Sequence, residues 1–347
     1  MKPERRRSDA AASSIPPREP RNRAFRGGDI RESAIYSLSA LAVRALPEGT
    51  WHSVAETFAR FSSRKSARYE KFRSAIRAVL GDAIAEAEIP AIYRRLIRHG
   101  HRRRLYIAAT CRRQGWSPSI ELIGRERLDQ AQARGRGAIL WFDNFAHFSV
   151  IGKRAFGEAG YPLWHLGSHL HGFSMTRYAI RFLNPRQIAV EGRYLAGRIM
   201  FDNRTLIAAT RRVVEILAGN GLMAITNNAN YGKSVRFPFG EKARLPIATT
   251  PLRLAAGRGV PLLPVSVIEV EPFRRYRVAI GPEIAPPAGA PEGEAIAAMA
   301  AAYIDYLLPI IRAHPDQWGG WSAVGNALAA AREHRATAPP DPAGMTG

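Results

Sequence analysis

The chain has 347 residues, 46% hydrophobic and 23% charged, a composition typical of a folded globular protein and not of a wholly disordered one. Lys and Arg outnumber Asp and Glu by 51 to 29, and the resulting charge of +22 predicts an anionic partner such as phospholipid head groups, an acidic protein or nucleic acid, unless it reflects an Arg-rich genome composition. With Cys111 as the single cysteine, an intramolecular disulfide framework is excluded.

The N-terminal region combines a polar tail with a first helix. Residues 1–30 are basic, contain paired prolines and glycines and lack the apolar segment of a signal peptide, so we predict a disordered tail. Ile35, Leu38 and Leu41 then recur at helical spacing between Ala34 and Leu46. This helix either lies in a membrane interface or packs on the domain. No stretch approaches 18 uninterrupted apolar residues, so we predict no transmembrane span.

Helical patterns continue from residue 51 to 113 and complete a helical cap, residues 31–118. The last of these helices, after Pro90, carries a dense run of arginines without an acidic residue between Ala91 and Arg113. Without counter-charges the run predicts an anion-facing surface, with a merely solvated helix face as the alternative. The run consists of Arg94, Arg95, Arg98, Arg102, Arg103, Arg104, Arg112 and Arg113.

Strand and helix signals alternate from residue 119 onward, the pattern of an α/β domain. We predict a single α/β domain, residues 31–325, whose core (119–325) holds a central mixed, mainly parallel sheet flanked by helices. A closing helix is expected over 292–311 and a disordered tail over 326–347. The strands are predicted at 120–123, 138–142, 161–166, 222–226, 260–267 and, as an antiparallel or edge strand, 269–280.

The buried strand Ala138 to Phe142 breaks into a polar corner, and in α/β sheets the carboxyl ends of strands commonly carry the reacting groups. Asp143 and His147 lie four residues apart. If helical geometry begins at Asp143, they share a face and form a carboxylate–imidazole pair in which His147 is the catalytic base. The alternative is that Asp143 caps a helix and His147 is a half-buried helix residue.

Three histidines, His165, His169 and His171, fall within seven residues. They could bind a metal, but no single regular element would present all three. We therefore predict no metal and no cofactor.

Several short motifs occur in a recognisable order between Gly124 and Trp321. In that order the chain resembles the bacterial late acyltransferases of lipid A biosynthesis, in the lysophospholipid-acyltransferase-like superfamily. The motifs are Gly124-x-Glu126-x-Leu128, Gly137-Ala138-Ile139-Leu140, Asn228-Ala229-Asn230-Tyr231-Gly232, Phe237-Pro238-Phe239-Gly240, Pro246 to Thr250, Leu254-Ala255, the strand ending at Pro264, and His314-Pro315-Asp316-Gln317-Trp318.

In this family a His follows the strand, with an Asp or Glu after four intervening residues that orients it as the base. Matching through Gly137 to Leu140 places Asn144 at the His position and Ser149 at the acid position, and none of the nine histidines has an acid five residues on. The resemblance thus implies a substituted dyad. Asn144 and Ser149 are then expected to hydrogen-bond the acceptor or the thioester oxygen.

The resemblance also implies substrate-binding roles elsewhere. His165 and His169 would lie beside the acceptor pocket, and Arg193 and Arg198 fall where the family tends to carry a cation near a phosphate. Asn228, in the matched loop, is a further candidate.

The resemblance, together with the basic charge, implies a membrane-associated acyltransferase on the cytoplasmic side of the bacterial inner membrane. It would transfer an acyl group from an acyl-carrier-protein or CoA thioester to a hydroxyl or amine of a lipid or small molecule, with an anionic membrane surface as partner. The alternative is a catalytically inactive homologue that binds acyl chains or lipids. Nucleic-acid binding ranks last, because no recognition motif accompanies the charge.

Overall fold

The computed structural model describes residues 24–62, 66–113, 115–168, 176–201, 205–227 and 233–337. Its helices are α1 (Gly27–Ala45), α2 (Trp51–Ser62), α3 (Ala67–Leu80), α4 (Ile89–Thr110), α5 (Arg125–Ala133), α6 (Lys153–Glu158), α7 (Asn184–Gly192), α8 (Leu206–Ala218), α9 (Thr249–Arg258), α10 (Glu292–Ala313) and α11 (Trp321–Thr337). Its strands are β1 (Ser119–Ile123), β2 (Ala138–Phe142), β3 (Leu163–Ser168), β4 (Gly197–Phe201), β5 (Leu222–Thr226), β6 (Ser234–Phe239), β7 (Ala243–Ala248), β8 (Leu262–Glu271) and β9 (Arg275–Ile280).

Seven strands form one central sheet in the order β1-β9-β8-β2-β5-β3-β4. Every neighbouring pair is parallel except β8 and β9, which run antiparallel. The predicted mixed, mainly parallel sheet with flanking helices and an N-terminal helical region is therefore confirmed. The sequence analysis did not predict β4, nor the separate antiparallel pair of β6 and β7.

Strand β2 lies in the interior of the sheet, between β5 and β8. Each of its five residues is buried, as the apolar run requires for a strand covered on both faces. Because successive side chains of a strand point to opposite faces, Ile139 and Trp141 pack in one core cluster and Leu140 and Phe142 in the other. We call these the first and the second cluster.

The arginine run of α4 is not the uncompensated surface that the sequence predicts. Carboxylates from four other segments meet it, because acids far away in the sequence fold back onto this helix. The pairs are Arg95 with Asp316, Arg98 with Glu56, Arg102 with Glu269 and Arg104 with Glu32. Of the run, Arg94 and Arg113 are exposed.

The first helix, α1, has two apolar faces. Tyr36 and Val43 are buried on the side that packs against α4. Ile30, Leu38 and Leu41 lie on the other side and remain 60%, 51% and 62% exposed. One face of this helix therefore packs on the domain, and the other face stays uncovered.

The two predicted tails are shorter than expected where the structure describes them. Helix α1 already begins at Gly27, and residues 1–23 lie outside the described part of the chain. Residues 326–337, assigned by sequence to a disordered tail, belong to α11. This helix is held because it packs on α3, where Gly325 approaches the Lys71 backbone so closely that a Cβ would lie 2.6 Å from the Lys71 carbonyl oxygen. Residues 338–347 are not described.

Within the described ranges, α10 is the one helix long and apolar enough to cross a membrane by length and composition. Its Met299, Tyr303 and Leu307 are fully buried in the first cluster. Such burial is typical of the core helix of a folded domain, and the structure accounts for the apolar character of α10 in this way.

Candidate functional site

The polar corner after β2 is bound tightly to the segment between α10 and α11. Phe145 pairs with Trp318 in an isolated antiparallel bridge, and the Ala146 N–H donates to the Gln317 carbonyl oxygen at 2.7 Å. The Gly319 N–H donates to the Asn144 carbonyl oxygen at 2.6 Å, and a Cβ on Gly319 would lie 2.9 Å from that oxygen. The last two residues of the His-Pro-Asp-Gln-Trp motif, Gln317 and Trp318, therefore fix the corner together with Gly319.

Asp143 is buried and serves as the acceptor that holds the corner together. Its Oδ1 accepts hydrogen bonds from the Asn144 N–H at 2.6 Å and from Trp318 Nε1–H at 2.5 Å. Its Oδ2 accepts from the Tyr303 hydroxyl at 2.7 Å. Burial raises the pKa of the Asp143 carboxyl, and these hydrogen bonds offset only part of the effect.

His147 is completely buried on the other side of the sheet. Its ring contacts Tyr106 and Tyr276 of the second cluster, and its Nε2 lies 2.9 Å from His99 Nδ1. Its Nδ1 has no hydrogen-bond partner among the described residues. Burial lowers the pKa of His147 to about 3, so the imidazole is neutral at physiological pH.

The prediction that Asp143 and His147 form a pair is therefore wrong, because the two side chains are not in contact. Residues 143–147 do not form a helix, and helical structure starts only with the short π-helical turn Phe148–Gly152. Asp143 continues the strand alternation onto the face of Trp141, where its partners Tyr303 and Trp318 belong to the first cluster, whereas His147 packs in the second. The i,i+4 relationship on which the pairing depended is not realised.

His147 instead lies beside a network of buried charges. Glu269, on β8, forms an ion pair with Arg102 through Oε2 and accepts from Tyr276 and the Phe273 N–H through Oε1. Burial alone would raise the pKa of Glu269, but the surrounding imidazoles and Arg102 hold it below its ordinary value.

His99, on α4, joins this network to a second carboxylate. Its Nδ1 lies 3.2 Å from Glu269 Oε2, and its Nε2 lies 3.6 Å from Asp316 Oδ2. Burial alone would lower the pKa of His99, but hydrogen bonds to Asp316 and Glu269 raise it above the ordinary value. Arg95 pairs with the same Asp316 oxygen near the surface.

The two residues at the dyad positions differ in exposure. Asn144 is exposed at the corner, between the buried Asp143 and Phe145. Ser149 is buried, and its hydroxyl has no hydrogen-bond partner in the part of the chain that the structure describes. Of the two, Asn144 is the one that a substrate can reach.

His165 belongs to a separate buried polar cluster near the edge of the sheet. Its Nδ1 accepts from Arg198 at 2.9 Å, and Arg198 also donates to Glu191 at 2.9 Å. Glu191 is fully buried, accepts from Gln187 and forms an ion pair with Lys153. Burial lowers the pKa of Lys153 to about 8.

Of the remaining predicted site residues, one lies at the surface and two lie outside the described residues. Arg193 is exposed and donates to the Thr110 carbonyl oxygen at 2.7 Å. His169 and Asn228, like His171, lie outside the described residues. The structure therefore brings Arg198 and His165 together, but places neither in contact with the corner through the hydrogen bonds it describes.

Sequence reasoning missed His99, Glu269 and Asp316, which form the charged network beside His147. His99 lies inside the arginine run that the sequence assigns to the surface, and Glu269 is the first residue of the predicted strand 269–280. The signal that could have identified them is the position of an acidic residue. In a chain with many arginines and few carboxylates, a carboxylate at the end of a buried strand is a strong candidate for a buried ion pair.

A sequence model of the family described as bacterial lipid A biosynthesis acyltransferase matches residues 30–321. A phosphatidylinositol mannoside acyltransferase of Mycobacterium tuberculosis strain H37Rv is 27% identical over 290 residues, covering 82% of this chain and 85% of the relative. The protein of the same description from strain CDC 1551 is 26% identical over 294 residues, with the same coverage. The chain belongs to the bacterial lipid A biosynthesis acyltransferase family.

Proposed function

We propose that this protein transfers an acyl group from an acyl-carrier-protein or CoA thioester to a hydroxyl or amine of a lipid-type acceptor. Membership of the acyltransferase family supports the reaction type. The two relatives are named for acyl transfer to phosphatidylinositol mannosides, which supports a lipid acceptor.

The observation that carries the proposal is the placement of Asn144. It is exposed at the carboxyl end of the central strand, and its backbone is fixed at both ends, by Asp143 at the N–H and by Gly319 at the carbonyl. A side-chain amide on a rigid backbone is a preorganised hydrogen-bond donor for a carbonyl oxygen that gains negative charge. Asn144 is thus suited to hold the thioester oxygen.

The transfer needs no further co-reactant. The acceptor oxygen or nitrogen attacks the thioester carbonyl carbon, the tetrahedral intermediate collapses, the C–S bond breaks and the leaving thiolate takes up a proton as the acceptor gives one up. Asn144 and Ser149 do not titrate, so neither removes the acceptor proton. His147 is the imidazole of this segment, and it can act as base only if substrate binding opens its buried position.

We further propose that the protein acts at an anionic membrane surface, on the cytoplasmic side of the inner membrane, with α1 as the contacting element. Its uncovered face carries Ile30, Leu38 and Leu41, and Arg31 and Arg44 of the same helix are exposed. Apolar side chains beside cations are the combination that binds an interface between acyl chains and anionic head groups.

The decisive experiment is mass spectrometry of the products after incubation of the purified protein with a panel of acyl-carrier-protein and CoA thioesters and candidate lipid acceptors. An acceptor whose mass rises by the acyl group, with stoichiometric release of thiol, supports the proposal. Thiol release without an acylated acceptor would mean hydrolysis, and no thiol release with any pair would contradict acyl transfer.

A second function is favoured by one specific observation. Between Asp143 and Ser149 the two titratable side chains, Asp143 and His147, are both buried, so the corner exposes no acid or base. A catalytically inactive homologue that binds acyl thioesters or lipids would show the same arrangement. Equilibrium binding of a non-hydrolysable thioester analogue, combined with absent turnover in the product assay, would support this second function over the first.

A further inference from the structure

Three side-chain donor atoms from separate elements converge in the buried network beside His147. His99 Nδ1 and His147 Nε2 are 2.9 Å apart, His99 Nδ1 and Glu269 Oε2 are 3.2 Å apart, and His147 Nε2 and Glu269 Oε2 are 3.7 Å apart. All three residues are buried. The acyl-transfer proposal uses only His147 of this triangle, as a base when substrate binding opens its buried position.

We propose that His99, His147 and Glu269 bind a divalent transition-metal ion of the Zn²⁺ class. Two imidazole nitrogens and one carboxylate oxygen are a donor set that such ions take in proteins. With metal–ligand distances of about 2.0–2.2 Å, tetrahedral ligands lie roughly 3.3–3.6 Å from one another, and the mean edge of the triangle lies at the lower end of this range. Small adjustments of the His147 ring would bring the three edges closer to equal.

The surroundings of the triangle orient the ligands as metal sites commonly require. His99 points its other nitrogen, Nε2, toward the Asp316 carboxylate, an arrangement that fixes the ring and strengthens the ligand. Glu269 is held through its second oxygen, Oε1, by the Tyr276 hydroxyl at 3.0 Å and the Phe273 N–H at 3.2 Å. These bonds leave Oε2 directed at the two imidazoles.

Arg102 is the feature that a bound cation must accommodate, because its guanidinium contacts the same Glu269 oxygen. A carboxylate oxygen has two lone-pair directions, so it can accept from Arg102 and bind an ion at once. Arg102 and Arg95 balance the charges of Glu269 and Asp316, so a bound ion would add net positive charge to the network. A proton on one imidazole would supply such a charge too, so metal and proton compete for the triangle.

A cavity of about 230 Å³ lies on the side of His52 and Phe273. Glu48, Glu271 and His52 are among its lining residues. His52 Nδ1 accepts from Arg102, which in turn contacts Glu269, so the cavity leads to the neighbour of the ligand set.

The proposal is tested on the full-length, untagged protein, treated with a chelator, dialysed against Zn²⁺ and then freed of unbound ion. Elemental analysis is expected to find one zinc per chain. In His99→Gln, His147→Gln and Glu269→Gln, the affinity for zinc is expected to fall by more than about tenfold. The matched control is His101→Gln, on the same helix: His101 is buried and bonded to Ser62, outside the triangle, and its loss should leave zinc binding unchanged.

A measurement on the unsubstituted protein keeps the test independent of variants that fail to fold. X-ray absorption of the zinc-loaded protein should show two imidazoles and oxygen in the coordination sphere. Three results would each overturn the proposal: no zinc retained above the chelated sample, zinc retained equally by the three variants and the control, or a coordination sphere without histidine. In the first case the triangle holds a shared proton in place of an ion.

Discussion

Asp143 and His147 lie on opposite faces of the central sheet, although only four residues separate them. Asp143 accepts from Tyr303 and Trp318 in the first cluster, whereas the His147 ring packs against Tyr276 in the second. The corner therefore contains two polar anchors. Each fixes the end of β2 to a different layer, and a substitution in one need not disturb the other.

The Asp143 anchor predicts a graded loss of stability. Asp143→Ala leaves the buried donors of Tyr303, Trp318 and Asn144 unpaired and should lower the free energy of unfolding by about 2–4 kcal/mol. Asp143→Asn should cost less, about 1 kcal/mol, because the Tyr303 hydroxyl can turn and accept from the new amide. Urea unfolding measures both changes.

Tyr303→Phe provides the matched control for this anchor, since it removes a single hydrogen bond and should cost about 0.5–1.5 kcal/mol. If Asp143 oriented His147, Asp143→Asn would also change the tautomer of the His147 ring. We expect its ring nitrogen NMR signals to stay unchanged. Unaltered stability in Asp143→Ala would show that the carboxylate does not hold the corner.

Much of the architecture was predictable because it follows from local patterns. The run Ala138 to Phe142 is apolar at every position, and only a strand covered on both faces buries it fully. The corner was not predictable, since the direction of Asp143 depends on Tyr303 and Trp318, 160 and 175 residues further along the chain. The substituted dyad at Asn144 and Ser149 stays a prediction from the resemblance.

The arginine run also shows that charge pairs between residues distant in the sequence cannot be predicted from local patterns. Sequence neighbours of Arg102 supply no acid, but the fold brings Glu269 to it from 167 residues away. Arginines of a helix whose own sequence lacks acidic residues can therefore be buried, because acids from distant segments neutralise them. Pairing of this kind depends on tertiary contacts, which cannot be identified from a short window of sequence.

Two arginines of α4 should respond very differently to removal of their charge. Arg102→Met leaves Glu269 buried without its cationic partner and should lower the free energy of unfolding by about 3–5 kcal/mol. Arg94→Met, at an exposed position of the same helix, should change it by no more than about 0.5 kcal/mol. Chemical denaturation of the two variants is the measurement, and equal small effects would mean that Arg102 is solvated.

Lys153 makes stability depend on pH in the alkaline range. Burial lowers its pKa from 10.5 to about 8, so between these values the unfolded chain binds a proton that the folded protein does not. Its contribution to stability is therefore present above the unfolded value and is lost as the pH falls toward 8. The slope from this group approaches about 1.4 kcal/mol per pH unit.

Lys153→Met removes this titration and keeps an unbranched side chain, while Glu191 retains Arg198 and Gln187 as partners. Relative to the variant, the unsubstituted protein should gain free energy of unfolding as the pH rises from 8. Urea unfolding at several pH values gives the difference directly. Parallel curves for the two proteins would place the pKa of Lys153 near its ordinary value.

The uncovered face of α1 predicts the response of membrane binding to single substitutions. Leu41→Glu adds a negative charge and removes an apolar contact, so it should reduce co-sedimentation with anionic vesicles. The control is Ile207→Glu on α8, which changes an apolar side chain that is 80% exposed elsewhere on the molecule. Binding should also weaken with added salt. Equal losses in both variants, or salt-independent binding, would exclude α1 as the contact.

The proposed role of Asn144 gives the most direct prediction for catalysis. Loss of one preorganised donor to a developing oxyanion typically costs about 10²–10³ in turnover, so Asn144→Ala should lower kcat by that factor with little change in KM. Ser149→Ala removes a buried hydroxyl at the other dyad position and should have a smaller effect. Steady-state kinetics with the acceptor found by mass spectrometry measures both.

His147→Ala in the same assay tests whether the buried imidazole takes part in the reaction. A positioned base contributes about 10²–10⁴ in rate, and a loss of this size in a variant with unchanged thioester binding would show that the site opens for catalysis. If substrate reaches only the surface of the corner, His147→Ala should lower stability and leave kcat within about threefold of the parent. An unaffected kcat in Asn144→Ala would show that Asn144 takes no part in the reaction. The main structural support for the acyl-transfer proposal over the lipid-binding function would then be lost.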